Sequence, residues 1–240
     1  MIALILNSGM GSRMGKYTSE HPKCMTDLTN GETIISRQLR LLVAVGIQKV
    51  VITTGYFNEV LMTYCYSLNY PLEYEFVYNP LYRETNYIYS IYCAREYLIG
   101  EDILMLHGDL VFDETVLNDI LADKRSCMKV SSTLPLPDKD FKAVIDDGKI
   151  MKIGVEFFDN AMEAQAMYKL NKADWNIWLE RICKYCEFDR RKYYAEDAFN
   201  EISDECIIYA HDMRDVLCTE IDTPDDWKVV LEKLKCKAGK

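Results

Sequence analysis

Short, uninterrupted apolar runs alternate along this chain with stretches whose apolar positions recur at helical spacing. The first run, Ile2-Ala3-Leu4-Ile5-Leu6, predicts a strand buried on both faces. Thr33 to Val45 carries apolar residues at Ile34, Ile35, Leu39, Leu42 and Val43, a helical period that Gly46 can stop. A strand over 49–53 follows, then a helix near 57–68, a strand over Glu73–Tyr78, a helix over Asn86–Leu98, a strand over 102–107 and a short helix after Asp113. This βαβα order predicts an α/β fold with a mostly parallel sheet, covered on both faces by helices.

The pattern changes after about residue 126. Cys127–Leu134, Phe141–Ile145 and Lys149–Ile153 read as strands of an antiparallel extension, with Asp146-Asp147-Gly148 as a turn. Residues 156–204 are dense in aromatics and acids, and Trp175, Trp178, Leu179 and Ile182 have the spacing of a helix's buried face. Cys206–Tyr209 and Val216–Glu220 read as strands returning to the main sheet. Thr223-Pro224 then makes a good helix start, with Thr223 as N-cap and Pro224 at the first helical position. Asp222 precedes that cap, so the helix does not require it.

Composition narrows the chemistry. The 240 residues are long enough for one large α/β domain and short for two. A net charge of −10 argues against a nucleic-acid binder. Nothing approaches the ~18 apolar residues of a membrane span, and Met1–Leu6 is short for a signal peptide, so a cytoplasmic location is expected. Nine cysteines are an odd set, expected as reduced thiols. Cys183-Lys184-Tyr185-Cys186 lies in a helical stretch with no second pair or nearby His to complete a zinc site.

Candidate chemistry concentrates at strand ends. The first strand breaks into Asn7-Ser8-Gly9-Met10-Gly11-Ser12-Arg13-Met14-Gly15-Lys16, followed by Pro22-Lys23. Glycines bring backbone N–H groups close to an anion, and Arg13, Lys16 and Lys23 add positive charge, which suits a triphosphate. The loop lacks the Gly-Lys-Ser/Thr ending of a P-loop and the dinucleotide-binding glycine spacing. Loop 8–16, Gly55-Tyr56, Asn79-Pro80 and Asp109 all fall at carboxyl ends of strands, the edge where open parallel sheets bind ligands.

Gly-x-Gly-Ser-Arg after an N-terminal strand, with Pro-Lys about ten residues on, resembles the nucleotidyltransferases that join NTPs to sugar phosphates, phosphocholine and similar small phosphorylated alcohols. Asn79-Pro80-Leu81-Tyr82-Arg83-Glu84-Thr85-Asn86-Tyr87-Ile88-Tyr89-Ser90-Ile91-Tyr92 is similar to the phosphocholine cytidylyltransferase branch, and Ile103 to Val111 and Glu220 to Trp227 match in order. The resemblance implies a Rossmann-like nucleotidyltransferase fold in one domain, 1–240. Its NTP-binding part spans about 1–126 and 206–240, with an antiparallel and helical acceptor-side part over about 127–205.

It further implies CTP and Mg²⁺ as ligands. Asp109 and Asp222 would hold the metal. Asn7, Ser8, Gly9, Gly11, Ser12, Arg13, Lys23, Tyr56, Asn86, Ser90 and Asp109 would bind the nucleotide, with Lys23 and Arg13 as the catalytic cations. Asn7 and Ser8 stand where the family usually has small residues, which puts the base contacts in question, and Asn86 has a second reading as a helix cap. For the acceptor, Tyr168, Tyr194, Glu196 and Asp197 offer the aromatic faces and carboxylates that hold an ammonium group. Phosphocholine and 2-aminoethylphosphonate are the expected acceptors. A hexose-1-phosphate nucleotidyltransferase, a noncatalytic nucleotide-sensing subunit, and an enzyme for phosphorylated amino acid amides read by Arg190, Arg191 or Lys192 are the alternatives.

Overall fold

The first strand, β1 (Ile2–Asn7), divides its side chains between two cores, and this division organises the rest of the molecule. Ile2, Leu4 and Leu6 enter one core, and Ala3 and Ile5 the other. The structure, a computed structural model, describes residues 1–238. Two short 3-10 helices (Ser12–Thr18 and Lys23–Met25) lead to α1 (Ile34–Ala44), β2 (Lys49–Thr54), α2 (Asn58–Ser67), β3 (Glu73–Tyr78), α3 (Tyr87–Leu98) and β4 (Ile103–His107). Then come β5 (Leu110–Phe112), α4 (Glu114–Ala122), β6 (Cys127–Ser131), β7 (Lys142–Asp146), β8 (Lys149–Gly154) and β9 (Ala161–Leu170). The last elements are α5 (Lys172–Glu187), α6 (Ala195–Phe199), β10 (Tyr209–Asp212), β11 (Cys218–Glu220) and α7 (Pro224–Ala238).

The main sheet has nine strands in the order β3-β2-β1-β4-β9-β6-β10-β8-β7. The first four are parallel, as the βαβα pattern predicts. Helix boundaries follow local chemistry. Thr33 and Ser36 exchange capping hydrogen bonds at the start of α1. Thr223 and Asp226 do the same at α7, as Asp226 N–H donates to Thr223 Oγ1 and Thr223 N–H to Asp226 Oδ2. Asp147 and Gly148 both take positive φ, 46° and 74°, in the tight turn expected between β7 and β8.

Three expectations change. β9 lies inside the segment read only as aromatic and acidic, yet it is the ten-residue strand joining the two halves of the sheet, antiparallel to β4 and β6. Its pattern hides it because Glu163, Gln165 and Lys169 are buried among its apolar residues. The strand expected at Cys206–Tyr209 begins where that segment ends, and runs parallel to β6. The strand expected over Val216–Glu220 shortens to β11 and pairs with β5 in a separate two-stranded ribbon instead of entering the main sheet.

Trp175 and Trp178 are fully buried in the core between α5, α3 and the sheet. Their indole N–H groups donate to Leu98 O and Ala195 O at 2.9 and 2.8 Å, so the polar end of each ring is satisfied. Burying an aliphatic or aromatic side chain of this core contributes ~1.5–3 kcal/mol. Among the described residues, no helix is long and apolar enough to cross a membrane.

Candidate active site

The carboxyl ends of β1 and β4 open into a cleft of about 530 Å³ beneath the glycine loop. Gly11 begins the turn with φ +62°, and a side chain there would press on the Lys23 Cβ at 3.0 Å. Glycine therefore lets the loop lie directly over Lys23. Thr18 Oγ1 donates to Gly11 O at 3.0 Å and holds the loop's return.

The β5–β11 ribbon assembles the acidic side of the cleft. Glu220 pairs with Leu110, and Ile221 N–H donates to Asp109 O at 3.1 Å, which sets Asp222 beside Asp109 across a long stretch of chain. Both carboxylates close on one cation: Lys23 Nζ bonds Asp109 Oδ2 and lies 2.8 Å from Asp222 Oδ1. Arg13 Nη2 reaches the same Asp222 oxygen at 2.8 Å from a largely exposed side chain. Burial works against the Lys23 ammonium, but the charges of Asp109 and Asp222 outweigh it and raise its pKa. Asp109 is pulled below the usual carboxylate range by Lys23 and His107, against its own burial.

His107 and Glu220 form a second layer that the motifs do not reveal. His107 Nδ1 lies 2.8 Å from Glu220 Oε1. Burial opposes the imidazolium, yet Glu220 pushes the His107 pKa up to about 9. Ligand atoms of His107, Asp109 and Glu220 lie within 4.8 Å of one another. Two hard carboxylate oxygens, Asp109 Oδ2 and Asp222 Oδ1, already close on one cation, and that donor set fits a divalent ion.

A recess of about 180 Å³ continues from the cleft behind Gly9, between Ser8, Asn79, Tyr82, Thr85, Asn86 and Ser90. Asn79 organises it: its Nδ2 donates to Ser90 Oγ at 2.9 Å and Thr85 Oγ1 at 3.1 Å, and its Oδ1 accepts from Leu81 N–H at 2.8 Å. At the other end the cleft is bordered by Lys139, Asp140, Phe141, Val155 and Tyr194. Phe141 and Tyr194 meet edge to face at 5.3 Å. Burial raises the pKa of Asp140, with Asp222 and Asp226 adding to it.

Residues 3–130 match the family of the MobA-like NTP transferase domain. The chain belongs to this family. It is 29% identical over 220 residues to CTP:phosphoglutamine cytidylyltransferase of Campylobacter jejuni, covering 84% of this chain and 84% of the relative. It is 26% identical over 239 residues to a choline-phosphate cytidylyltransferase of Haemophilus influenzae, covering 98% and 97%. Among solved structures, CTP:phosphocholine cytidylyltransferase of Streptococcus pneumoniae superposes with a TM-score of 0.77 over 97% of this chain and 99% of that one, at 20% identity, which establishes the shared Rossmann-like fold.

In this nucleotidyltransferase, Asn7, Gly9, Gly11, Ser12, Arg13, Lys23, Asn86, Asp109, Tyr194 and Asp222 border the main cleft, and Ser8 and Ser90 border the recess. Asn86 caps α3, its Oδ1 accepting from Tyr87 N–H at 2.8 Å, and it borders both the cleft and the recess. Tyr56 borders neither space. It stands 57% exposed beside Phe57 and Tyr82 with Arg83 over its ring, and Tyr82 faces the recess in its place.

The expected acceptor set separates. Tyr168 is fully buried and its hydroxyl donates to Glu196 Oε1 at 2.6 Å, so it is a core residue and not a face for a ligand. The other Glu196 oxygen accepts from Tyr87, which makes this carboxylate a brace behind the cleft. Asp197 accepts from Tyr194 N–H at 2.8 Å and, with Glu196 and Tyr194, borders an adjoining hollow of about 410 Å³. Lys139 and Asp140 carry no signal because they sit in a proline-containing loop with no motif, and Phe141 reads only as the start of the strand that begins at Lys142.

Proposed function

We propose that this nucleotidyltransferase is a Mg²⁺-dependent cytidylyltransferase. It condenses CTP with a small phosphate or phosphonate ester or acid that also bears an ammonium group, and releases pyrophosphate. The observation that carries this reading is the meeting of Asp109 and Asp222 on one cation directly beneath a cationic glycine loop. Loop N–H groups and Arg13 hold the β- and γ-phosphates, and Lys23 neutralises charge growing at the α-phosphate. To do so both cations exchange their carboxylate partners for phosphate oxygens. The acceptor's phosphoryl oxygen is ionised at neutral pH and attacks without a general base. A divalent ion bound by Asp109 and Asp222 would supply further charge neutralisation at the phosphates.

Cytosine is assigned to the recess, whose size suits a single ring and whose hydroxyl and amide groups suit its polar edge. The acceptor lies toward Phe141 and Tyr194, with Asp140 supplying the charge complementary to an ammonium. Relatives that act on choline phosphate and phosphoglutamine support a small nitrogen-bearing acceptor over a hexose phosphate. The test is a pyrophosphate-release assay that crosses the four NTPs with phosphocholine, phosphoethanolamine, 2-aminoethylphosphonate, phosphorylated glutamine amide and glucose 1-phosphate, in Mg²⁺ and in EDTA. Turnover confined to CTP, Mg²⁺ and a nitrogen-bearing acceptor is expected. Turnover only with glucose 1-phosphate, or undiminished turnover in EDTA, would overturn it.

A further inference from the structure

Four buried polar atoms at the carboxyl ends of β1 and β4 have no hydrogen-bond partner: Asn7 Nδ2, Ser8 Oγ, His107 Nε2 and Asp109 Oδ1. Unpaired buried groups are rare in folded proteins, and a group of them on one cavity wall marks where a ligand completes the bonding. Asn7 opens onto the phosphate side, Ser8 onto the recess, and His107 and Asp109 onto both. A nucleotide has the same connectivity, base to sugar to phosphates. With the base in the recess and the phosphates under the loop, the sugar must lie at the junction that His107 and Asp109 share.

The polarity of the unpaired atoms specifies the group they await. Asn7 Nδ2 can only donate, and the Asp109 carboxylate can only accept. A phosphate oxygen would satisfy the amide and be repelled by the carboxylate, whereas a sugar hydroxyl accepts from one and donates to the other. Asp109 Oδ2 faces Lys23 and the cation position, which leaves Oδ1 for this bond. Asn7 is held in place by its fit against Gly108, where even a methyl group would overlap its carboxamide.

We infer that Asn7, acting with Asp109, is the residue that selects a ribonucleotide over a deoxyribonucleotide by bonding a sugar hydroxyl at the junction of cleft and recess. This rests on the nucleotide reading above. A site built around a hydroxyl rejects the analogue that lacks it, because its buried partners are then left unpaired. Calorimetric binding without acceptor tests this, using CTP, 2′-deoxy-CTP and 3′-deoxy-CTP against the wild type, Asn7→Ala and the nearly isosteric Asn7→Leu. The wild type should bind CTP roughly tenfold to a hundredfold tighter than one of the two deoxy forms. Both variants should hold that deoxy form about as well as the wild type while losing most of the preference for CTP. Equal affinity of the wild type for all three nucleotides, or a preference that survives in both variants, would overturn the assignment while leaving the cytidylyltransferase reading intact. Failure of the wild type to bind any of the three would refute that reading itself.

Discussion

Replacing Lys23 by Met removes the one ammonium on which Asp109 and Asp222 both close, while keeping most of the side chain's length. Lys23 and both acids have side chains only 15–16% exposed, so water compensates little. Two carboxylate oxygens bonded to a single nitrogen lie within about 5 Å of each other, and at an effective dielectric constant near 20 their repulsion is ~3 kcal/mol. Arg13 beside Asp222 and His107 near Asp109 offset part of this, leaving a loss of about 2–3 kcal/mol. For a chain of this size that lowers Tm by roughly 4–12 °C, readable by calorimetry in EDTA. Mg²⁺ should then stabilise K23M more than the wild type, because in the variant it no longer competes with an ammonium for the two acids. Turnover should fall by about 10²–10³, the effect of losing a transition-state charge. A variant as stable as the wild type in EDTA, with no added response to Mg²⁺, would refute the claim that the acids share a cation site.

Three further substitutions probe the framework. Gly108→Ala forces a methyl into the Asn7 carboxamide and should destabilise by about 1–3 kcal/mol, and Asn7→Ala in the same chain should relieve much of that in a double-mutant denaturation cycle. Glu196→Gln deprives one of Tyr87 and Tyr168 of its acceptor, at ~1–3 kcal/mol by urea denaturation. Burial lifts the Glu196 carboxyl above its ordinary range even though both tyrosines and His107 favour the ionised form. The unfolded chain therefore gives up this proton first, and wild-type stability falls as pH rises through the raised value. The gap between wild type and E196Q should accordingly be wider near pH 4 than near pH 8. Lys129→Met strands Glu163, buried in β9 and 2.7 Å from the lysine, and should cost ~3–5 kcal/mol, of which an added Glu163→Leu restores most in the same denaturation assay.

Local chemistry written in the chain carried much of this protein. The all-apolar β1 run, the Thr33 and Thr223 caps and the Asp147-Gly148 turn each act over a few residues, so they are legible without knowing what lies opposite. The glycine-rich, basic loop from Asn7 to Lys16, Lys23 and the strand-end Asp109 stand out locally as residue types suited to an anion site, whereas Asp222 as a second metal ligand is implied only by the family resemblance. What stayed hidden depends on partners distant in sequence. β9 conceals itself because Glu163 is acceptable inside the sheet only when Lys129 of the neighbouring β6 reaches its carboxylate. Tyr168 and Tyr194 look equally available as residues, yet one is sealed behind Glu196 and the other borders the cleft. The meeting of Asp109 with Asp222 is the work of the β5–β11 ribbon, a pairing no periodicity announces. Backbone preference and capping are short-range and survive in the linear chain, whereas burial, charge pairing and the opening of a cavity exist only once distant segments have excluded water together.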